Sequence, residues 1–479
     1  MTVRTRIAPS PSSSEKTLHL GNCRTALFAY LVAKKAGGNS QFILRIEDTD
    51  IARNVVGCEQ GMLEDLKWLG IAPTEGYGTN NQPFAPYTQL ERLPRYRELV
   101  EVLLSKGLAY KCVCSEELLN RQREEALARN PKAPFKYPGT CRSLNRDPDK
   151  GYVIRFKAPL EGETIHEDMV FGTIRYPHLE NYDWIIMREN GIPLYNFSVM
   201  ADDMDMEITH IIRGRDHSGQ NTLIQMLLYK AFGANIPKMA HLPMVNSPDG
   251  KSKLSKRDGA VSAKGMREAG YSPQAVISYL ARLGFGYGDK ELFTHDELVE
   301  AFDLSKCGRN DGRFDPNKFA ATNYEFLKSP NLTSTTEYAY HLQPFLTAKG
   351  FNLPQSEIEA LVPLTRTRSK TFVEAANELE PLLRPDISMD EAVASKILTP
   401  EAKTKLSEYH SFLQNLQAWD ENTIRDRTSE WLTRRGWTVK DIGQASRVAI
   451  TGRTQSPELF QTMAALGKDK TVERIGKAL

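Results

Sequence analysis

Two hydrophobic periodicities alternate along the first 70 residues, and that alternation restricts the fold more than any other feature of the chain. Residues 3–8 (VRTRIA) alternate in strand fashion, whereas 22–36 carry Ala26, Leu27, Tyr30 and Ala33 at the spacing of one helix face. Gly37-Gly38 ends that helix. A second β-branched strand, FILRIEDTD (42–50), runs into acids, and helical spacing returns through Met62, Leu66 and Leu69. Strand, helix, strand, helix predicts a parallel sheet with crossover helices, the doubly wound α/β class.

The pattern then breaks and resumes. Residues 71–88 are rich in Gly, Pro, Asn and Thr and predict a long connection. From about 89 to 195 the signal is mixed: a helix over 90–107, a cysteine segment, and strands at 152–157 and 183–188, which together read as an inserted α+β subdomain. ITHIIRG (208–214) and TLIQMLLYKAF (222–232) restore strand and helix, and a basic loop, SPDGKSKLSKRDG (247–259), follows. From Ser262 onward nearly everything reads as helix, with breaks at Ser272-Pro273, Ser329-Pro330 and Asp386-Ile387-Ser388.

Composition narrows the function class. A chain of 479 residues holds two to four domains, and 40% hydrophobic with 25% charged residues is ordinary for a globular protein. Lys+Arg 62 against Asp+Glu 60 excludes a histone-like polycation, although a neutral chain can still carry a basic face. There is no run of about 18 apolar residues to span a membrane and no apolar core for a signal peptide, so a cytoplasmic location without membrane contact is expected. Six cysteines are too few for a disulfide scaffold, and the grouping of Cys112, Cys114 and Cys141 points to metal in a reducing compartment.

Two constellations carry chemistry. LHLGN (18–22) follows a strand and a Pro/Ser-rich loop and opens a helix, whose unpaired N–H groups and positive dipole end suit a phosphate. There His19 could donate to a phosphate oxygen, Gly21 admits a planar base close to the backbone, and Asn22 could cap the helix; the bland alternative is a surface histidine in a turn. Lys253, Lys256 and Arg257 place three cations on a Gly-rich loop able to close over a triphosphate and neutralise a departing pyrophosphate, unless the loop is merely solvated. No Walker A or dinucleotide-binding glycine pattern competes for the nucleotide.

In this order, on either side of an interrupted sheet, the two segments resemble the HIGH and KMSKS signatures of class I aminoacyl-tRNA synthetases. TRIAPSP (5–11), FILRIEDTD (42–50), PLYNFSVMADDMDMEITHIIRGRDH (193–217), KLSKRDG (253–259), YSPQAVISYLARLGF (271–285) and FDPNK (314–318) resemble the glutamyl-tRNA synthetase family throughout. The resemblance implies a Rossmann-type catalytic domain split between 1–85 and 198–250 and an inserted acceptor-end-binding subdomain at 86–197. It further implies a KLSKR loop and helical stem-contact domain at 251–330 and an all-helical anticodon-binding region at 331–479.

It also implies an activity and a site. Glutamate would be activated by ATP with Mg2+ to glutamyl-adenylate and passed to tRNA(Glu), by a monomeric enzyme. His19, Lys253 and Lys256 would be the catalytic phosphate contacts, with Gly21, Asn22, Asp216, His217 and Arg257 completing the ATP site. Arg6 and Arg213 would read the side-chain carboxylate in guanidinium forks, Tyr195 assisting, while Glu47 and Ser10 hold the amino end. Cys112, Cys114 and Cys141 would bind a structural zinc completed by Tyr137, since Ser143 stands where some relatives have a histidine; three reduced cysteines packed in a small subdomain are the alternative. Arg366, Arg368, Lys370, Arg434 and Arg435 are candidates for tRNA contact.

The sequence departs from the family pattern in two places. Residues 12–17 (SSSEKT) make the first loop longer than the family's Thr-Gly-x and lack its glycine, and Arg215 replaces the acid of Arg-Gly-Glu-Asp-His. A paralogue that charges glutamine tRNA with glutamate, or passes the adenylate to a non-tRNA acceptor, is the alternative reading.

Overall fold

The computed structural model describes residues 2–131, 135–144, 148–252, 254, 262–389 and 391–479. Lys253, Lys256 and Arg257 lie outside them. The chain forms two compact units, one comprising Met1–Met266 with Val276–Pro316 and the other Arg267–Ala275 with Asn317–Leu479.

In the first unit, β1 (Arg4–Ile7) pairs in parallel with β2 (Gln41–Leu44), which pairs in parallel with β3 (Glu75–Gly76). The helix α1 (Leu20–Ala36) crosses from β1 to β2, and α2 (Cys58–Trp68) leads from β2 to β3. The second strand is shorter than the 42–50 run, although the Arg45 N–H still donates to the Ile7 carbonyl at 3.1 Å; the fully buried Arg45 guanidinium meets Asp203 at 2.6 Å.

The segment after β3 begins with α3 (Leu93–Ser105), β4 (Ala109–Cys112) and α4 (Glu116–Arg129). It continues through β5 (Val153–Phe156), β6 (Glu163–Asp168), β7 (Gly172–Pro177) and β8 (Ile185–Met187). Strands β4, β5 and β8 make an antiparallel sheet. It packs with α3, α5 (Tyr195–Asp205) and α6 (Gln220–Phe232) around Tyr96, Leu99, Phe156, Phe197 and Leu228.

The parallel pattern resumes with β9 (His210–Gly214) and β10 (Lys238–Leu242), joined by α6. The Thr209 N–H donates to the Arg4 carbonyl at 3.0 Å, laying β9 beside β1. The β6–β7 hairpin, from within residues 86–197, joins this sheet as β6 pairs in parallel with β10. Consequently β1, β2 and β9 end on one side, the carboxyl edge where open α/β sheets bind ligands.

The second unit is helical around two apolar clusters. Leu327, Tyr338, Leu342, Val362 and Phe372 form one; Leu406, Tyr409, Ile424, Val448 and Met463 form the other. Arg366 belongs to this interior. Its Nη1 donates to the carbonyls of Leu327 and Thr333 at 3.1 and 2.9 Å, so it is a staple between chain segments rather than a solvent-facing phosphate contact. Arg368, Lys370, Arg434 and Arg435 are exposed, Arg435 lying over the Trp431 ring.

Candidate active site

A cavity of about 540 Å³ opens at the carboxyl edge of β1 and β9. Its lining includes Arg6, His19, Gly21, Asn22, Glu47, Tyr195, Arg213, Asp216 and His217, nine of the residues singled out in the sequence. Ser10 is not in the lining; the neighbouring Pro9 carbonyl accepts from the Glu47 N–H at 3.0 Å. The cations of the KLSKR loop fall outside the described residues, but Leu254 lines the cavity and Ser262 bridges to His19.

At the His19 end of the cavity, α1 starts at Leu20, so the cap is His19 and not Asn22. The Gly21 N–H donates to His19 Nδ1 at 3.2 Å, which satisfies one helix-terminal N–H and leaves the imidazole proton on Nε2. The nitrogen suited to donate to phosphate is thus set by the cap. The longer 12–17 loop docks on α2. Thr17 Oγ1 donates to Asp65 Oδ2 at 2.5 Å, the Leu18 N–H donates to the same oxygen at 2.7 Å, and a Cβ on Gly61 would stand 1.9 Å from the Lys16 carbonyl.

The other end of the cavity is a buried charge array. Asp203 of α5 accepts from Arg6 at 3.1 Å and from Arg45 at 2.6 Å. Asp202 beside it accepts from Arg92 at 2.6 Å, Gln89 at 2.8 Å and Tyr96 at 2.8 Å. Burial alone would raise the Asp203 carboxyl, but Arg45 and Arg6 outweigh it and hold it low. Burial pushes Glu47 up to about 7 although Arg45 and Arg6 pull the other way. Breaking one partner of such a buried pair costs about 3–5 kcal/mol, so this array fixes Arg6 before any ligand arrives.

Arg213 differs in its partners from Arg6, which is bound to Asp203. It is 5% exposed and lines the cavity, yet its three bonded nitrogens meet only neutral acceptors: His241 Nε2 at 3.1 Å, Gln225 Oε1 at 2.7 Å and Thr222 Oγ1 at 2.9 Å. Among the described residues no carboxylate ion-pairs with it. A guanidinium has five N–H groups, so one on each terminal nitrogen is left for a ligand. Unlike a buried arginine closed in by carbonyls, this one has N–H groups left at a cavity wall, which suits an anionic ligand. Nearby, burial and then Arg213 depress His217 to about 4, so it is neutral, and Tyr195 lies 3.3 Å from its Nδ1.

Residues 2–319 match the family model for tRNA synthetases class I (E and Q), catalytic domain, and residues 337–479 match an anticodon binding domain. The chain belongs to the class I tRNA synthetases of the E and Q type. The glutamate–tRNA ligase of Geobacter sulfurreducens is 40% identical over 484 residues, covering 100% of this chain and 98% of that protein. The corresponding ligase of Anaeromyxobacter sp. (strain K) is also 40% identical, with 99% and 98% covered. A solved glutamate tRNA ligase from Elizabethkingia meningosepticum, in complex with its amino acid, superposes with a TM-score of 0.84 at 31% identity and covers 100% of this chain and 99% of that one.

Elsewhere in the synthetase, three cysteines and a tyrosine converge. Cys114 Sγ is 3.5 Å from Cys141 Sγ, and the Tyr137 hydroxyl is 3.4 Å from both Cys112 and Cys114. Thiolates on one tetrahedral zinc stand about 3.7 Å apart, so the donor set fits that ion. The Arg155 guanidinium covers the Tyr137 ring at 3.7 Å. Arg215 turns from the cavity to pair with Asp311 at 3.2 Å.

Several residues of the synthetase's site escape sequence reasoning. Arg45 sits inside an apolar run, and Thr222 and Gln225 share one face in the buried stretch of α6; a polar i, i+3 pair there is the signal that could have found them. Asp168 and His241 carried no such mark.

Proposed function

We propose that this synthetase is a glutamate–tRNA ligase: it joins L-glutamate to the 3′ end of tRNA(Glu) at the expense of ATP. An oxygen of the glutamate α-carboxylate attacks the α-phosphorus of ATP, the bond to the bridging oxygen breaks, and pyrophosphate leaves. The terminal ribose hydroxyl of tRNA then takes the glutamyl group and AMP departs. The observation that carries the substrate is Arg213, buried at the cavity wall with only neutral partners among the described residues. A γ-carboxylate supplies its missing counter-charge, whereas the neutral amide of glutamine leaves it uncompensated.

Arg6 and Tyr195 support the same carboxylate, and Glu47 with Ser10 takes the amino end. His19, Gly21, Asn22, Asp216 and His217 receive ATP, with Lys253, Lys256 and Arg257 as the phosphate cations; Mg2+ accompanies the triphosphate. Positioning and charge stabilisation therefore supply most of the rate. Cys112, Cys114, Tyr137 and Cys141 hold a structural zinc. The inserted segment 86–197 meets the acceptor end, residues 251–330 the stem, and 331–479 the anticodon. The enzyme acts as a cytoplasmic monomer. An acceptor other than tRNA is less supported, because the anticodon binding model matches residues 337–479.

The test is charging of tRNA(Glu) and tRNA(Gln) transcripts with labelled glutamate and glutamine. Glutamylation of tRNA(Glu) with no glutaminylation of either is expected; adenylate formation without glutamyl-tRNA would overturn the assignment.

A further inference from the structure

We infer that Asp168 and His241 form a positioning pair that fixes the Arg213 guanidinium, by holding the His241 imidazole neutral with its proton on Nδ1. The inference rests on the reading of Arg213 as the receptor for the substrate carboxylate.

The three residues stand on adjacent strands in the order β6, β10, β9, and His241 is the register partner of Arg213. Met239, two residues earlier on β10, is the register partner of Asp168. Asp168 and His241 are buried, the latter completely. His241 Nδ1 lies 2.6 Å from Asp168 Oδ2, and its Nε2 lies 3.1 Å from Arg213 Nε. An arginine Nε–H can only donate, so Nε2 must present its lone pair and the imidazole proton must sit on Nδ1, where the carboxylate accepts it. The other tautomer, or the imidazolium, would set an N–H against the Arg213 N–H. Thr222 Oγ1 also lies 3.1 Å from Nε2, with its own proton on the His217 carbonyl at 2.8 Å; the Arg213 Nε–H, 3.1 Å away, is what calls for the lone pair on Nε2.

Asp168 is itself held as an ionised acceptor. Its Oδ1 takes the N–H groups of Val170 at 2.9 Å and Phe171 at 2.8 Å, and its Oδ2 also takes the His241 N–H at 3.1 Å. An asparagine there would have to turn its NH2 either toward these backbone donors or toward the imidazole. His166 Nε2 approaches the same carboxylate at 3.5 Å. The three side chains form one buried cluster in which Nδ1 and Oδ2 are in direct hydrogen-bond contact. The chain of contacts supplies Arg213 with a fixed plane and a carboxylate one imidazole away, without setting Asp168 itself against the guanidinium.

The experiment is steady-state charging of tRNA(Glu) by the full-length protein, with glutamate and then ATP varied, for His241→Leu, His241→Gln, Asp168→Asn and Arg213→Ala. Loss of a hydrogen bond to a charged group is worth about 10- to 100-fold, so His241→Leu should raise KM for glutamate by that factor and leave KM for ATP within about twofold. His241→Gln, whose amide oxygen can stand where Nε2 does, should recover most of the loss. Asp168→Asn should show the same split as leucine, and serves in its place if the leucine variant does not fold. Equal glutamate KM in His241→Leu and the parent, a parallel rise in KM for ATP, or no recovery by glutamine would overturn the inference. If Arg213→Ala itself leaves glutamate KM unchanged, the reading of the pocket fails instead.

Discussion

Glu47 shows how a single side chain links burial to catalysis. Burial pushes its carboxyl up to about 7, so in the ligand-free protein below that pH it carries a proton. In stability terms the group disfavours folding progressively as pH rises from 4.5 through about 7, because the unfolded chain gives up the proton first. With the proposed role of Glu47 at the amino end, the substrate ammonium would favour the carboxylate, so that binding glutamate below about pH 7 would expel a proton. Glutamate KM should therefore climb by up to about tenfold per pH unit below 7. Calorimetry of glutamate binding near pH 6.5 in buffers of different ionisation enthalpy should show the released proton, and Glu47→Gln should abolish it. The same apparent enthalpy in all buffers for the parent protein would count against the assignment. Such pairings were only partly legible beforehand: resemblance placed Arg6, Glu47 and Arg213 at the substrate, but not that Arg6 is already bound to Asp203 while Arg213 has no carboxylate partner among the described residues.

Among the elements, those with apolar buried faces could be read and those with polar ones could not. β1, α1, β9 and α6 carry the expected periodicities. β6 inverts the rule, for Thr164, His166 and Asp168 point inward while Ile165 is 45% exposed, so the strand looks like a solvated loop in sequence. β3 is two residues long and lies within the 71–88 connection, too short for any period. The cysteine element was legible from spacing and identity, since thiols keep their chemistry whatever the local structure. Its surrounding core is small, with Tyr110, Cys112, Tyr137 and Cys141 as the buried members, and a metal would tie β4 to the 137–144 turn where apolar burial is scarce. Metal analysis of the purified protein should find about one zinc per chain, and Cys114→Ser should lower it to under roughly a tenth and reduce the melting temperature. Less than a tenth of an equivalent in the parent protein would end the zinc reading.

For the whole molecule, a formal charge of +2 must be reconciled with a polyanionic substrate. Charges of both signs are committed inside: Asp202 and Asp203 pair with Arg6, Arg45 and Arg92 in the catalytic unit. In the helical unit Arg366 and Arg474 are also buried, bonded to backbone carbonyls, whereas Arg368, Lys370 and Arg434 face solvent. Two kinds of anion recognition follow. Exposed cations release counterions when they meet phosphates, so tRNA affinity depends steeply on salt; a buried guanidinium is screened little. Raising KCl from about 50 to about 200 mM should increase KM for tRNA by about tenfold or more, while KM for glutamate changes by less than about twofold. Initial charging rates over that range, each substrate varied with the others saturating, separate the two. A glutamate KM that rises as steeply as the tRNA KM would mean that the amino-acid carboxylate is read by solvent-exposed charge and that Arg213 is not its receptor.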